Sequence, residues 1–202
     1  KGVDVSNEVD YVDLSDENLY KELNFGLNHG VFLFESSGMN NLIRGIRVDN
    51  FEELVACNAL YRPGPMGIKA HEEYIRNKFN PEKIEYIHPA LESILKETKG
   101  VLIFQEQLMF IADKIGGMGL GKGDNLRRYM DKASKIISKV SSGEELTEDE
   151  INDKNWKGFQ EYWNLFLDGA VSQGYDKEEV DKIKDWVIKY LGYSFNRSHE
   201  LS

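Results

Sequence analysis

Apolar residues recur at helical spacing along most of the chain, and polar caps, glycines or prolines separate the apolar runs. Asn50 precedes the apolar segment 51–61, which must end before Pro63 because the residue before a proline is driven out of the helical region. The same signals predict further helices over residues 16–25, 39–47, 71–79, 88–99, 104–116, 124–137, 156–174 and 178–191. The pattern therefore predicts an all-α fold, an irregular multi-helix domain with short extended segments.

Three segments interrupt the helical pattern. Residues 31–36 form an apolar run typical of a short extended segment, and residues 116–123 hold five glycines, which indicates a turning loop. Asp124 would then cap the helix that follows this loop. Residues 141–155 are strongly acidic and are predicted to be a surface insertion without chemistry, although a capping box at Thr147 could start a short helix there.

Length and composition fit a packed globular body. The chain has 202 residues, enough for one sizeable core or two small lobes, and no apolar stretch approaches the roughly 18 residues of a membrane span. Its single cysteine, Cys57, cannot form an internal disulfide, which fits a reducing cytosol and predicts a cytoplasmic protein with no membrane partner. Because the sequence opens at Lys1 without an initiator methionine or signal peptide, we expect a longer parent protein.

The net charge of −10 argues against a protein that binds DNA through a strong overall positive field. The charge is uneven, however, because residues 1–30 carry −5, residues 31–140 carry +2 and residues 141–202 carry −7. A nucleic-acid contact is therefore expected only from a few basic groups placed in the middle part of the chain.

The middle part contains a ridge of basic residues. Arg127 and Arg128 follow the glycine-rich segment, and Lys132 and Lys135 continue the ridge over about two helical turns. Guanidinium groups suit phosphate oxygens, so the ridge could hold a phosphate. Taken alone, the pattern is more typical of a solvated or salt-bridged helix face.

Other polar groups lie at rigid or unusual positions. The tail 194–199 could contact a sugar or a base edge, although such a run is more often a polar turn. Tyr61 and Arg62 are fixed by a proline corner, which is also typical of a purely structural turn. Three consecutive polar side chains interrupt an apolar helix: Gln105, Glu106 and Gln107. This triplet could orient arginine side chains or simply form an amphipathic face.

No metal or nucleophile signature accompanies these groups. The four histidines are scattered, and no aspartate pair has the spacing of a two-metal nucleotidyltransferase. A phosphate-binding glycine loop and a nucleophile elbow are also absent from the sequence. By these criteria the chain alone is a binding module with no catalytic residue, no metal site and no cofactor of its own.

The order of the motifs is more specific than any one of them. VFLFESSGM, FEELVACNALYRPGPM, the run HPALESILKETKGVLIFQEQLMFIADKIGGMGLGKGDNLRRYMDKAS and LGYSFNRSH follow one another from Val31 to His199. In this order they resemble the fingers region of the bacterial DNA polymerase III alpha subunit, a C-family replicative polymerase. Residues 1–30 resemble the connector from the palm of that family, so residues 31–202 would form the fingers.

The resemblance implies DNA-directed DNA polymerase activity in the full-length parent, with Mg²⁺ held by palm carboxylates outside this chain. The implied partners are template-primer DNA, dNTP, the remainder of the polymerase chain and, through other regions, the sliding clamp and replisome subunits. The implied nucleotide-binding residues are Arg127, Arg128, Lys132, Asn196, Arg197 and His199, and the implied supporting residues are Tyr61, Arg62, Gln105, Glu106 and Gln107. We expect the basic ridge and the tail to meet in one groove, and the isolated chain to lack polymerase activity.

The chain departs from the family pattern after the arginine pair. A small residue and then Met-Gly-Lys-Lys are usual there, whereas this chain has Tyr129, Met130, Asp131, Lys132 and Ala133. One cation is thus lost and a carboxylate gained, which predicts a weaker grip on phosphate. Further departures lie at Ser194, Arg197 and Glu200. Together they indicate a distant member of the family, for example one encoded by a phage.

Two functions stay open at this point. The first is a polymerase fingers region that binds dNTP and template. The second is a non-catalytic helical interaction module derived from a polymerase, which the acidity of the chain and the carboxylates at Asp131 and Glu200 favour. If the parent reading frame encodes a palm with paired aspartates just before Lys1, the first function is supported.

Overall fold

The structure is a computed structural model that describes residues 14–190. Twelve α-helices occur in this range, together with two short 3₁₀ turns at Pro81–Lys83 and Pro89–Leu91, and this range contains no β-strand. The helices are α1 Glu17–Phe25, α2 Ser37–Ile46, α3 Phe51–Leu60, α4 Pro63–Gly67, α5 Ala70–Phe79, α6 Glu92–Leu95, α7 Gln105–Lys114, α8 Leu120–Lys132, α9 Ser134–Ser141, α10 Glu148–Asn152, α11 Lys154–Ser172 and α12 Lys177–Lys189. The predicted all-α fold class is confirmed.

Several helix ends fall where local sequence signals predict them. The Asn50 side chain accepts a hydrogen bond from the Glu53 backbone N–H at 3.0 Å and starts α3. Capping boxes start α10 at Thr147 and α12 at Asp176. Gly26 ends α1 with a φ of 88°, a left-handed conformation that costs glycine little. These ends depend on neighbouring residues in the sequence, so the sequence alone reveals them.

The helix that carries the basic ridge begins earlier than predicted. α8 starts at Leu120, so Gly121 and Gly123 belong to its first turn and Asp124 is not its cap. A Cβ atom at Gly123 would lie 3.1 Å from the carbonyl oxygen of Met109 on α7. The close approach of two helices, rather than loop flexibility, therefore explains this glycine.

The predicted extended segment is also wrong. Residues 31–36 form consecutive turns, with the Val31 N–H bonded to the Asn28 carbonyl and the Phe34 N–H bonded to the Val31 carbonyl. Leu33 lies in the left-handed region at φ 69°. The apolar run is not a strand because, within the described range, no neighbouring strand pairs with it and only Phe34 of its apolar side chains is buried.

Two predicted helices are shorter in the structure. The helix over 88–99 is reduced to α6, because the Gly100 N–H bonds to the Leu95 carbonyl at 2.9 Å and turns the chain back. The helix over 124–137 breaks at the buried Ala133, which separates α8 from α9. Within the described range, no helix combines the length and apolar character that a membrane crossing requires.

A continuous apolar core holds α8 in place. α8 packs against both α7 and α11, and its inward-facing Leu126 and Met130 are almost completely buried. The predicted apolar stripe of α11 contributes to the same core through Trp156, Phe159, Trp163 and Phe166, with Leu167 partly buried against it. Core packing therefore fixes the orientation of α8 and leaves its charged residues on the outer side.

Candidate nucleotide-binding site

Arg127 lies next to the buried stripe of α8, and Arg128 lies on the opposite side of the helix. Consecutive helical residues point about 100° apart, so the two guanidinium groups leave the helix in different directions. The Arg127 side chain is 15% exposed, whereas that of Arg128 is 62% exposed. The predicted ridge is therefore uneven, with one arginine packed along the protein surface and the other open to solvent.

Asp124 joins the two arginines. Its Oδ1 accepts hydrogen bonds from Arg127 Nε at 3.0 Å and pairs with Arg127 Nη2 at 2.9 Å, and its Oδ2 lies 2.8 Å from Arg128 Nε. Residues three and four positions apart are neighbours on a helix surface, which explains this arrangement. The sequence analysis missed this role, although an aspartate three and four residues before two arginines is a signal that could have revealed it.

Asp131 engages Arg127 from the opposite side. Its Oδ2 accepts a hydrogen bond from Arg127 Nη1 at 2.9 Å, so each of the three guanidinium nitrogens of Arg127 contacts a carboxylate. Burial raises the pKa of Asp131 above its ordinary value, although the neighbouring Arg127 acts in the opposite direction. The four side chains form one connected cluster on α8, in which Asp124 contacts both arginines and Asp131 contacts Arg127.

Of the three predicted nucleotide-binding cations on α8, Arg128 and Lys132 are exposed and Arg127 is half-buried. Arg128 pairs with Asp124 through its Nε, and its side chain as a whole is 62% exposed. Lys132 lies one turn further along α8 and is exposed. Guanidinium and ammonium groups so placed can donate charge-assisted hydrogen bonds to an anion.

Tyr61 and Arg62 occupy the corner between α3 and α4. Pro63 takes the first position of α4, where its missing N–H and fixed φ are compatible with a helix start. Both residues line a cavity of about 550 Å³ together with Ser36 and Met39. The rigid corner is confirmed, whereas a supporting role in nucleotide binding stays a prediction.

The polar triplet lies at the start of α7. Glu106 and Gln107 line a second cavity of about 540 Å³, which also includes Phe104 and Phe110. Gln107 is almost completely buried and bonds to backbone groups at the entrance to α7, so its role in the fold is structural. Glu106 and Gln107 thus line a different cavity from Tyr61 and Arg62.

The tail residues Asn196, Arg197 and His199 lie outside the described residues. Their meeting with the basic ridge in one groove therefore stays a prediction. Within the described range, no group of three or more histidine, cysteine, aspartate or glutamate side chains is arranged to hold a metal ion.

Comparison with known proteins identifies the family of the chain. Residues 2–155 match the family model of the bacterial DNA polymerase III alpha subunit finger domain. The chain belongs to this family. The resemblance inferred from the order of the motifs is therefore confirmed, and the match includes the whole of α8 with its arginine pair.

Full-length relatives of this DNA polymerase III family extend the match to nearly the whole chain. DNA polymerase III subunit alpha of Saccharopolyspora erythraea is 38% identical over 201 residues, covering 98% of this chain and 15% of that protein. The corresponding subunit of Halalkalibacterium halodurans is 38% identical over 197 residues, covering 98% and 16%. That of Aquifex aeolicus is 35% identical over 189 residues, covering 94% and 14%. The chain thus spans less than a fifth of the length of these relatives.

Proposed function

We propose that this chain is the part of a replicative DNA polymerase that holds the triphosphate of the incoming dNTP and contacts template-primer DNA. The observation that carries the proposal is the arginine pair on α8, where Asp124 binds the Nε of both Arg127 and Arg128. In the exposed Arg128, a guanidinium held at Nε would present its terminal nitrogens to a second anion. The family membership of the chain supports a nucleotide triphosphate as that anion.

The proposed mechanism follows from this orientation. Arg128 would donate its terminal N–H groups to non-bridging phosphate oxygens, and Lys132 would add a point charge one helical turn away. Such preorganised cations stabilise the negative charge that develops on the pyrophosphate leaving group. Mg²⁺ held by palm residues outside this chain would activate the attacking primer hydroxyl in the full-length parent.

Further assignments belong to the same proposal. Residues 1–30 would connect the palm to fingers formed by residues 31–202, and residues 141–155 would be an acidic surface insertion of the fingers. The tail residues Asn196, Arg197 and His199 would approach the nucleotide or the nascent base pair. The partners would be template-primer DNA, dNTP, the remaining polymerase chain and, through other regions, the sliding clamp and replisome subunits in the cytoplasm.

Arginine substitution in the full-length polymerase tests the proposal. If Arg128 holds phosphate through charge-assisted hydrogen bonds of roughly 1.5–3 kcal/mol, Arg128→Ala lowers kcat/KM for dNTP incorporation about 10- to 100-fold. Arg128→Lys is also impaired, because an ammonium keeps the charge but loses the planar donor arrangement. The measurement is steady-state single-nucleotide incorporation on a defined primer-template.

A matched arginine separates phosphate binding from a general loss of surface charge. Arg76 on α5 is exposed, and Arg76→Ala changes kcat/KM little if binding depends on the α8 pair. Near-wild-type efficiency for both Arg127→Ala and Arg128→Ala would overturn the proposed triphosphate site.

The pairing of Asp131 with Arg127 favours a second candidate function. Because all three nitrogens of Arg127 already contact carboxylates, a chain that no longer binds nucleotide could retain this helix for stability alone. The chain would then be a non-catalytic helical interaction module derived from a polymerase. A full-length protein without paired palm aspartates and without primer extension activity would support this second candidate.

A further inference from the structure

The carboxylates around the arginine pair leave the cluster without net charge. Arg127 and Arg128 contribute two positive charges, and Asp124 and Asp131 contribute two negative charges when ionised. The two aspartates differ in what they contact. Asp124 contacts the Nε and Nη2 atoms of Arg127 and the Nε atom of Arg128, whereas Asp131 contacts Arg127 at the remaining terminal nitrogen, Nη1.

The terminal nitrogens of a guanidinium are the atoms that bind phosphate oxygens in paired, parallel hydrogen bonds. Asp131 therefore occupies a donor that a triphosphate bound at Arg127 would use. The pair is also partly accessible, since the Asp131 side chain is 34% exposed and that of Arg127 is 15% exposed. An incoming anion can thus reach the Arg127–Asp131 ion pair without unfolding of α8.

We propose that Asp131 is a built-in competitor of the nucleotide, whose carboxylate occupies the Arg127 guanidinium and must be displaced before the triphosphate binds there. This inference rests on the proposed triphosphate site. It divides the two arginines by role: Arg128 makes the first contact with the anion, and Arg127 joins after Asp131 leaves. Asp131 thereby sets the affinity for dNTP while remaining outside the reacting groups.

The alternative role for Asp131 is to position Arg127 for the nucleotide. The two roles predict opposite effects of neutralising the carboxylate. A competitor that loses its charge releases Arg127 and raises the net charge of the cluster by one, which strengthens anion binding. A positioning residue that loses its charge leaves Arg127 less ordered, which weakens anion binding.

The test is Asp131→Asn in the full-length polymerase, with the dissociation constant for dNTP measured on a primer-template that lacks a 3′-hydroxyl. The competitor role predicts dNTP binding about 3- to 10-fold tighter than in the wild type, the range expected for removing one partly exposed ion-pair partner. The gain shrinks at high salt because the added charge is screened. Asp131→Ala gives the same gain in dNTP affinity, which shows that the gain does not come from new contacts of the asparagine amide.

Two controls define the outcome. Asp181→Asn changes the net charge by the same amount on the exposed surface of α12 and leaves dNTP affinity unchanged. In an Arg127→Ala background, Asp131→Asn no longer improves binding, because the donor for which the two anions compete is absent.

The results also separate this inference from the function on which it rests. If Arg127→Ala and Arg128→Ala weaken dNTP binding but Asp131→Asn weakens it or has no effect, only the competitor role is overturned. If neither arginine substitution changes dNTP binding, the triphosphate site itself is wrong and the competitor role fails with it.

Discussion

The buried side chain of Gln107 organises the segment that leads into α7. Its Oε1 accepts hydrogen bonds from the Ile103 and Phe104 backbone N–H groups, both at 3.0 Å. Its Nε2 donates to Thr98 Oγ1 at 2.7 Å and to the Ile94 carbonyl at 3.3 Å. The amide therefore joins α6, the turn after it and the start of α7.

Replacing Gln107 with methionine tests this role. Methionine has a similar shape but cannot accept hydrogen bonds from the Ile103 and Phe104 N–H groups, so the variant loses both of these buried bonds. We expect Gln107→Met to lower the free energy of unfolding by about 2–4 kcal/mol. The measurement is urea unfolding followed by circular dichroism.

The matched control for this prediction is Gln160→Met on α11, where the side chain is exposed. That substitution should change the free energy of unfolding by less than about 0.5 kcal/mol. Equal stabilities of the two variants would contradict a structural role for the Gln107 amide.

At the scale of single elements, the acidic segment contains an anchored helix. α10 begins with a capping box in which the Glu150 carboxylate accepts the Thr147 backbone N–H at 3.0 Å. The same carboxylate forms an ion pair with Lys139 on α9. Glu150 thus caps the start of α10 and also attaches α10 to α9. These two interactions hold an otherwise solvated acidic segment in a defined position.

The ion pair predicts a pH dependence of stability. The hydrogen bond from Lys139, followed by that from the Thr147 backbone, holds the pKa of Glu150 below its ordinary value. Because the folded-state pKa is the lower one, the contribution of Glu150 is complete above the ordinary glutamate pKa of about 4.3 and is lost as the pH falls through the folded-state pKa.

We therefore expect Glu150→Gln to lower the thermal midpoint at neutral pH, and the difference from the wild type to shrink as the pH falls below about 4. Thermal scans of both proteins between neutral and acidic pH measure this difference. Glu161→Gln on α11 is the control, because Glu161 is exposed. A midpoint difference for Glu150→Gln that stays constant down to acidic pH would show that the ion pair contributes nothing.

At the scale of the whole molecule, the core extends from α1 to α12 without interruption. Buried residues of every large helix belong to one apolar cluster. The end of the described chain is also bonded to an earlier helix, since Tyr190 Oη donates a hydrogen bond to Glu73 on α5 at 3.2 Å. A shared core predicts that early and late helices unfold together.

The position of the tryptophans makes this cooperativity measurable. All three, Trp156, Trp163 and Trp186, lie on α11 and α12, so fluorescence reports the later helices while far-ultraviolet circular dichroism reports all of them. We expect coincident thermal transitions from the two probes. Tyr190→Phe, which removes the bond to Glu73, should lower both midpoints together. Separated midpoints would instead indicate two independently unfolding halves.

Much of the fold follows from the sequence by itself. The starts of α3, α10 and α12 at Asn50, Thr147 and Asp176 were all predictable, because a cap and the backbone groups it satisfies lie within a few residues of each other. The order of the motifs likewise identified the family, and with it Arg127 and Arg128 as candidate phosphate ligands.

The tertiary structure alone decided how those arginines are presented. α8 begins at Leu120 instead of Asp124 because it packs closely against α7 and α11, and contacts between distant segments leave no periodic signal in the sequence. Asp124 is therefore an interior residue of the helix instead of the predicted cap, and it lies beside both Arg127 and Arg128. The spacing of the charged residues in the sequence determines which of them are neighbours on α8, and helix packing determines that Arg127 is mostly covered whereas Arg128 is open to solvent.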